Sequence, residues 1–476
     1  MPDTWAAVGS DLHVAITRPG VRASLEQALR DAVQSGRLRP GTRLPSSRSL
    51  AADLDISRNT VAEVYVQLAA EGWLTARRGS VTRVAAGAAS EHAEHRPGHV
   101  AERAAVYPYD LRSGEPNMAA FPRKEWLAAV RAGMLHAPNE ALGYEDGRGN
   151  PKLREALAAY LGRVRAVQAR PDSVLICSGT IHAFSMLCAV LKARGASTVA
   201  FEEYGYSRFT KAAALQGLQT VTIGVDGAGA RVDQLDALRA DAVLLTPGHQ
   251  FPTGTMLSAD RRRAVIEWAR RTGGLVIEDD YDGEFRYEPL AAGSLQELAP
   301  ELVAYVGTTS KSLVPGLRIG WAVLPDKLVS GAVEMIATTV GQISVMEQVG
   351  LAEFIRCGAY DRHVRRARTS YRRRRDRLIL CRDRLAPDVR VTGIAAGLHA
   401  VLELPGRAGG PVAERALVER AGRRGLALHG LSAFELTPGT AAPLSIVVGY
   451  GTPPDHAFEP ALRTLFEVIS ATDIAS

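Results

Sequence analysis

The chain runs to 476 residues, 46% hydrophobic and 23% charged, with a formal net charge of +6; that length exceeds one ordinary core and that composition excludes disorder and fibrous repeats, so two unequal globular domains are expected. No apolar run approaches the ~18 residues of a membrane span, and the opening MPDTWAAVGS lacks the basic and apolar regions of a signal peptide, so a cytoplasmic protein with no membrane partner is expected. Cys177, Cys188, Cys357 and Cys381 lack metal-ligand spacing and read as reduced packing residues, with no metal site.

The charge is unevenly spread. Between His13 and Ala86 stand eleven arginines against six acids. A compact basic segment suits a polyanionic partner, although a merely solvated basic surface carries the same charge. The expected organisation is a leader over 1–12, a first domain over 13–86, an Ala/His/Glu-rich linker over 87–108 and a second domain over 109–476.

In the first domain Leu25, Ala28, Leu29, Ala32 and Val33 recur at helical spacing, and Gly36 can close that helix. Ser46 can cap a second helix carrying Leu50, Ala51 and Leu54. Ser57 can cap a third that buries Val61, Val64, Tyr65 and Leu68. The short DIS connection fits a helix-turn-helix, which puts Arg58, Asn59 and Thr60 at the start of the reading helix. Arginine pairs bidentately with guanine and asparagine with adenine; the alternative is that these residues only cap and solvate a helix. GWLTARRGSVTRVA then reads as two short strands joined at Gly79, a wing with Arg77 and Arg78 placed for phosphates or the minor groove.

The run from Gly36 to Ser80 resembles the winged helix of GntR-type regulators. The resemblance implies double-stranded DNA as partner and DNA roles for Arg43, Arg48, Arg58, Thr60 and Gly79, to which the residue reading adds Asn59 and Arg78. The usual wing glycine after the serine is Val81 here.

From Asp110 onward short apolar runs, at 174–176, 198–201, 242–245, 274–277 and 303–306, alternate with helical patterns. That rhythm predicts an α/β fold with a mostly parallel sheet, whose ligands bind beyond the carboxyl ends of the strands. After the first run, Ser178, Gly179 and Thr180 meet a helix start, a phosphate cradle or a simple cap. After the fourth, Asp279 stands where a carboxylate can hold a pyridinium nitrogen protonated. After the fifth comes Lys311, one of six lysines in a chain with 51 arginines, flanked by Ser310 and Ser312 and followed by Arg318. A lysine amine can form a Schiff base with an aldehyde, and an arginine can pair with a phosphate.

An acid at a strand end followed by Ser-Lys-x-Leu and a Pro-Gly-Leu-Arg-Ile-Gly run resembles the fold-type I aminotransferases. That resemblance implies pyridoxal 5'-phosphate linked to Lys311, with Asp279 on the ring nitrogen and Tyr281 at the ring hydroxyl. Tyr206 stacks on the ring, and Ser178, Gly179, Thr180, Ser310 and Arg318 surround the phosphate. It also implies a domain-swapped homodimer, in which Tyr144 reaches the neighbouring subunit's phosphate site. The expected fold class is α/β: an N-terminal winged helix-turn-helix plus a large aminotransferase-like domain with a mostly parallel seven-stranded sheet and a smaller C-terminal α/β subdomain. The two domains in this order, with HQFPTG at 249–254 and EDDYDGEFRY at 278–287, resemble the MocR group of GntR regulators. That group implies an effector-responsive transcription factor.

Val447 stands where the resemblance expects the arginine that holds a substrate carboxylate. A sensor is therefore favoured over a working aminotransferase, and no residue is assigned a catalytic role. Arg208 or His429 could replace the missing cation, with Arg208 the named effector contact. The signal is expected to be pyridoxal phosphate itself, as in the group's branch controlling vitamin B6 synthesis, or an amino compound. The arginine-rich run from Arg362 to Arg375 reads as a solvated helix face, with a second DNA contact as the rival.

Overall fold

Three helices, α1 (Val21–Gln34), α2 (Ser47–Asp53) and α3 (Arg58–Ala70), form the first unit with a two-stranded antiparallel ribbon of β1 (Leu74–Thr75) and β2 (Arg83–Val84). Their apolar stripes close on Leu25, Leu29, Leu50, Val61, Val64 and Leu68, all buried. The caps form as the sequence demands: Ser46 accepts the Ser49 N–H at 3.1 Å and Ser57 accepts the Asn59 N–H at 3.2 Å. The turn between α2 and α3 puts Asp55 at φ 50°, a left-handed conformation that aspartate tolerates. The first helix starts at Val21, four residues before Leu25, the first position marked by apolar spacing, because Arg22 and Ala23 add polar and small positions to its outer face.

The computed structural model describes residues 20–75, 81–86, 107–143, 147–287, 293–339, 343–407, 409–437, 439 and 443–471. The chain divides into Met1–Ala105 and Val106–Ser476. The leader at 1–12 lies outside the described residues, as does nearly all of the 87–108 linker.

The second unit is built on seven strands, β3 (Val174–Cys177), β4 (Thr198–Glu202), β5 (Gln219–Ile223), β6 (Ala242–Leu245), β7 (Leu275–Asp279), β8 (Val303–Thr308) and β9 (Gly320–Val323). They stand in the order β3-β9-β8-β7-β6-β4-β5, parallel throughout except for β9, which is antiparallel to both neighbours. Strands buried on both faces read as continuous apolar runs, and the five such runs in the sequence became β3, β4, β6, β7 and β8. The other two strands lacked that signal: β5 is a partly exposed edge strand, and β9 hides inside the arginine-glycine run after Lys311.

Helices flank the sheet. Those that bear on function are α4 (Arg123–Leu135), α5 (Pro151–Arg165), α6 (Thr180–Ala193), α7 (Arg208–Leu215), α8 (Val345–Arg356) and the 27-residue α9 (Ala359–Leu385). A smaller antiparallel sheet follows, of β10 (Arg390–Thr392), β11 (His399–Glu403), β12 (His429–Gly430) and β13 (Ser445–Gly449), in the order β10-β11-β13-β12. It packs through Leu402, Ile446 and Val448 against Tyr371 and Leu378 of α9. Burying each such Leu or Ile contributes about 1.5–3 kcal/mol. Among the described residues no helix is long and apolar enough to cross a membrane. Cys177 and Cys188 are buried packing residues as expected, whereas Cys357 is exposed at the end of α8 and Cys381 is half-buried.

Candidate functional site

A pocket of about 600 Å³ opens at the carboxyl ends of the central strands and is walled on its other side by the small sheet. At its floor the last residue of β7 is Asp279, whose buried Oδ1 has no hydrogen-bond partner. Burial, with the neighbouring Asp280 charge behind it, pushes this carboxyl up to about 8. Asp280 faces away and goes the opposite way in spite of its burial. Arg165 of α5 grips it bidentately at 2.6 and 3.0 Å, the Tyr305 hydroxyl donates to it at 2.7 Å, and the arginine charges hold it below the usual carboxylate range. Two adjacent acids thus have separate fates: Asp280 is gripped by an arginine, whereas Asp279 has no hydrogen-bond partner at Oδ1 and only the Lys311 charge to oppose its burial.

Lys311 lies beyond β8, and its Nζ donates to the Gly114 carbonyl. Burial lowers its pKa, which favours the free amine, the nucleophilic form. At the far end of the pocket Arg318 donates to the Ser178 carbonyl at 2.7 Å and holds a left-handed φ of 53°. The guanidinium therefore sits at the start of α6, where Gly179 (φ 87°) leaves the first N–H groups without a side-chain cap. Helix start and arginine together make an anion site. Close packing fixes it: a Cβ on Gly320 would come within 2.8 Å of the Gly179 Cα.

The structure brings Gly179, Thr180, Tyr206, Asp279, Tyr281, Ser310, Lys311, Arg318 and Arg208 to this one pocket. Ser178 stands beside it, with its carbonyl on Arg318 and its N–H donating to His182 Nδ1 at 2.9 Å. Ser310 Oγ accepts from the Thr308 hydroxyl at 2.9 Å. Tyr206 is exposed at the mouth, with the Arg208 guanidinium 5.5 Å from its ring centroid. Tyr144 lies outside the described residues.

Val447 is fully buried on β13, paired across the sheet with Val401 and His429, and joins Tyr204, Leu431 and Phe434 in an apolar cluster. No cation stands at that position. His429 does line the pocket, with a buried Nδ1 that has no partner, and burial lowers its pKa and favours the neutral ring.

Sequence reasoning missed the aromatic wall behind Tyr281. The Tyr281 hydroxyl donates to the His249 carbonyl at 3.1 Å, His249 Nδ1 meets Asp282 Oδ2 at 2.7 Å, and the His249 and His399 rings lie 5.0 Å apart. Burial drives His399 down to about 3, so it is neutral. A histidine on an otherwise apolar strand, and another heading HQFPTG, were the signals that could have found it.

In the first unit Arg43, Arg48, Arg58 and Asn59 are exposed and Thr60 is half-buried. The arginines of α1 are engaged in ion pairs with the far side of α3, Arg30 with Glu71 at 2.9 Å and Arg22 with Glu63 at 3.2 Å. Arg43, Arg48 and Arg58, by contrast, form no ion pair with a described residue. Arginines without an ion pair to a described residue therefore stand about α2 and the start of α3, and also at Arg37, Arg39 and Arg83. Arg78 and Gly79, with Arg77, lie outside the described residues, between β1 and β2.

Comparison with known proteins agrees with both halves. Residues 21–84 match the family described as bacterial regulatory proteins, gntR family, and residues 108–422 match aminotransferase class I and II. The chain is 31% identical to the probable rhizopine catabolism regulatory protein MocR of Rhizobium meliloti, over 79% of this chain and 80% of that one. It is 29% identical to the HTH-type pyridoxine biosynthesis transcriptional regulator PdxR of Corynebacterium glutamicum, over 97% and 99%. Among solved structures, an archaeal alanine:glyoxylate aminotransferase superposes with a TM-score of 0.68 at 23% identity, covering 76% of this chain and 91% of that one, which speaks for the fold. With a GntR-type helix-turn-helix at one end and a class I and II aminotransferase fold over most of the rest, the chain belongs to the MocR-type regulators of the GntR family.

Proposed function

We propose that this chain is a DNA-binding transcriptional regulator whose aminotransferase-like domain holds pyridoxal 5'-phosphate as a signal. The observation that carries the reading is the buried, unpartnered Asp279 carboxylate in one pocket with Lys311 and with the anion site of Arg318 and α6. These residues fit the group. Asp279 would hold the ring nitrogen, Lys311 the aldehyde carbon, Gly179, Thr180, Ser310 and Arg318 the phosphate, Tyr281 the ring hydroxyl and Tyr206 a ring face. When bound, pyridoxal phosphate supplies an aldehyde that condenses with primary amines.

The protein's own groups set the terms. Burial lowers the Lys311 pKa and so favours the free, nucleophilic amine, and the His249–Asp282 pair orients Tyr281. The wall of Val447, Phe434 and Tyr204 offers no cation to a carboxylate. A charge-assisted contact of about 1.5–3 kcal/mol is missing there, which supports a sensor over an aminotransferase. The identity to PdxR supports pyridoxal phosphate as the signal, with control of vitamin B6 synthesis as the outcome; an amino compound read through Arg208 is the second reading, favoured by that arginine's place at the mouth.

The active species is read as a homodimer. Leu127 and Leu135 of α4, Leu142 and Met346 leave apolar side chains exposed, which a second copy would cover. Occupancy would shift the balance between conformations of different operator affinity. A bacterial regulator of this kind works in the cytoplasm.

Footprinting on the protein's own upstream region, with and without pyridoxal phosphate, tests the reading. A cofactor-dependent change in affinity is expected. Operator affinity that answers to an amino acid but not to pyridoxal phosphate would overturn it, and robust amino-group transfer independent of DNA would establish the enzyme instead.

A further inference from the structure

The first half of α9 sets five exposed arginines on one side. At about 100° and 1.5 Å per residue, Arg362, Arg365, Arg366, Arg372 and Arg373 fall within roughly 120° of the helix circumference over about 16 Å. All five are exposed, while His363, Val364, Ala367, Tyr371, Arg374 and Leu378 bury the opposite face. Around this row the protein pairs its arginines with acids: Arg356 with Glu353 at 2.8 Å, Arg374 with Asp455 at 2.5 Å, Arg377 with Glu459 at 2.7 Å and Arg163 with Asp361 at 2.7 Å. Within the row the pairing stops. Arg365, Arg372 and Arg373 have no ion pair or side-chain hydrogen bond with a described residue. Arg362 only donates to the Cys357 carbonyl, and Arg366 reaches Glu125 at 4.0 Å.

We propose that this row is a second duplex-DNA contact, made by the aminotransferase-like domain to the phosphate backbone and separate from the reading helix. Like charges three and four residues apart oppose one another on a helix, and a polyanion relieves that repulsion. Planar guanidinium forks fit phosphate oxygens, and a duplex presents one charge per about 1.7 Å, so the row runs alongside roughly ten of them. An acidic protein is the poorer match. Besides the five arginines the arc from Arg362 to Arg373 contains only Thr369, with none of the aromatic or apolar anchors on which protein interfaces depend. The contact carries no sequence information; it adds affinity and length to the footprint.

The inference rests on DNA binding by the winged helix, and the test separates the two. Full-length protein is titrated onto a labelled 60-base-pair mixed-sequence duplex from 50 to 200 mM salt. Three proteins are compared: the natural protein, Arg365→Gln/Arg372→Gln/Arg373→Gln, and the same three positions changed to Lys. Removing one arginine–phosphate pairing lowers the log–log salt slope by about 0.9, so the glutamine variant should lose roughly 2 to 3 from the slope and the lysine variant almost nothing. A glutamine variant with the natural slope and affinity overturns the second contact while leaving the winged helix intact. Equal losses in the lysine and glutamine variants would mark a structural role and overturn it as well. If the natural protein binds no duplex at all, the DNA-binding reading itself falls.

Discussion

Replacing Asp279 by asparagine should act in opposite directions on the empty and the loaded protein. In the cofactor-free chain burial pushes this carboxyl from its ordinary 3.8 up to about 8. Between those values the folded state holds a proton that the unfolded chain has released. Stability contributed at low pH is therefore lost as the pH rises through that window, at about 1.4 kcal/mol per pH unit at most and on the order of 4 kcal/mol by pH 7. Glu202, Glu278 and Glu284, each raised to about 7 by burial, add to the loss with the same sign, so comparison with the natural protein is what isolates Asp279. The asparagine variant, neutral at every pH, should unfold at higher temperature than the natural protein at pH 8 and by a clearly smaller margin at pH 5. Thermal unfolding of cofactor-free protein across pH 5–8 reads this directly. The same substitution removes the partner of a protonated ring nitrogen, and a charge-assisted contact of about 1.5–3 kcal/mol corresponds to a 10- to 150-fold weaker grip on pyridoxal phosphate, measured by equilibrium dialysis. A variant that binds the cofactor as tightly as the natural protein, or whose unfolding temperature follows the same pH profile, would refute the assignment.

Lys311→Ala should keep DNA binding and lose the response to pyridoxal phosphate; borohydride reduction followed by peptide mass analysis should attach the cofactor to the natural protein at that lysine and nowhere in the variant. Arg58→Ala and Asn59→Ala should each lower discrimination at one operator base pair by about 1–3 kcal/mol, read by competition between operator variants, whereas uniform weakening across all sequences would demote them to phosphate contacts. Arg165→Met removes the bidentate partner of the buried Asp280 charge, leaving only Arg286 at 3.6 Å, and should cost about 3–5 kcal/mol in denaturant unfolding; a loss below about 1 kcal/mol would mean that Asp280 takes up a proton or that Arg286 suffices.

The elements most legible in the sequence were those whose physics is local. The caps at Ser46 and Ser57 and the apolar period of α3 declared the helix-turn-helix, and fully buried parallel strands declared themselves as unbroken apolar runs. Lys311 stood out because lysine is rare in this chain. What stayed hidden depends on distance in space. The antiparallel β9 is decided by its neighbours β3 and β8, and nothing in GWAV distinguishes it from a parallel strand. The different fates of Asp279 and Asp280 are set by Arg165, 115 residues away. His399 gained its place behind the pocket from the small sheet, whose pairing no run of sequence announces.

The pocket is walled by two sheets with separate cores. Its anion end, Gly179 and Arg318, belongs to the large sheet, whereas His399 and His429 belong to the small one. A ligand reaching across would touch both structures, which otherwise meet at the apolar cluster of Tyr204 with Val401, Leu431, Phe434 and Val447 and at the Tyr204–Glu435 bridge. It works as a removable crosslink: while it is seated, any opening of one sheet from the other must also break its contacts, so the stiffness of the whole unit rises with ligand concentration by mass action. A regulator can be built from that property without a dedicated hinge, because abundance of the ligand becomes resistance to deformation.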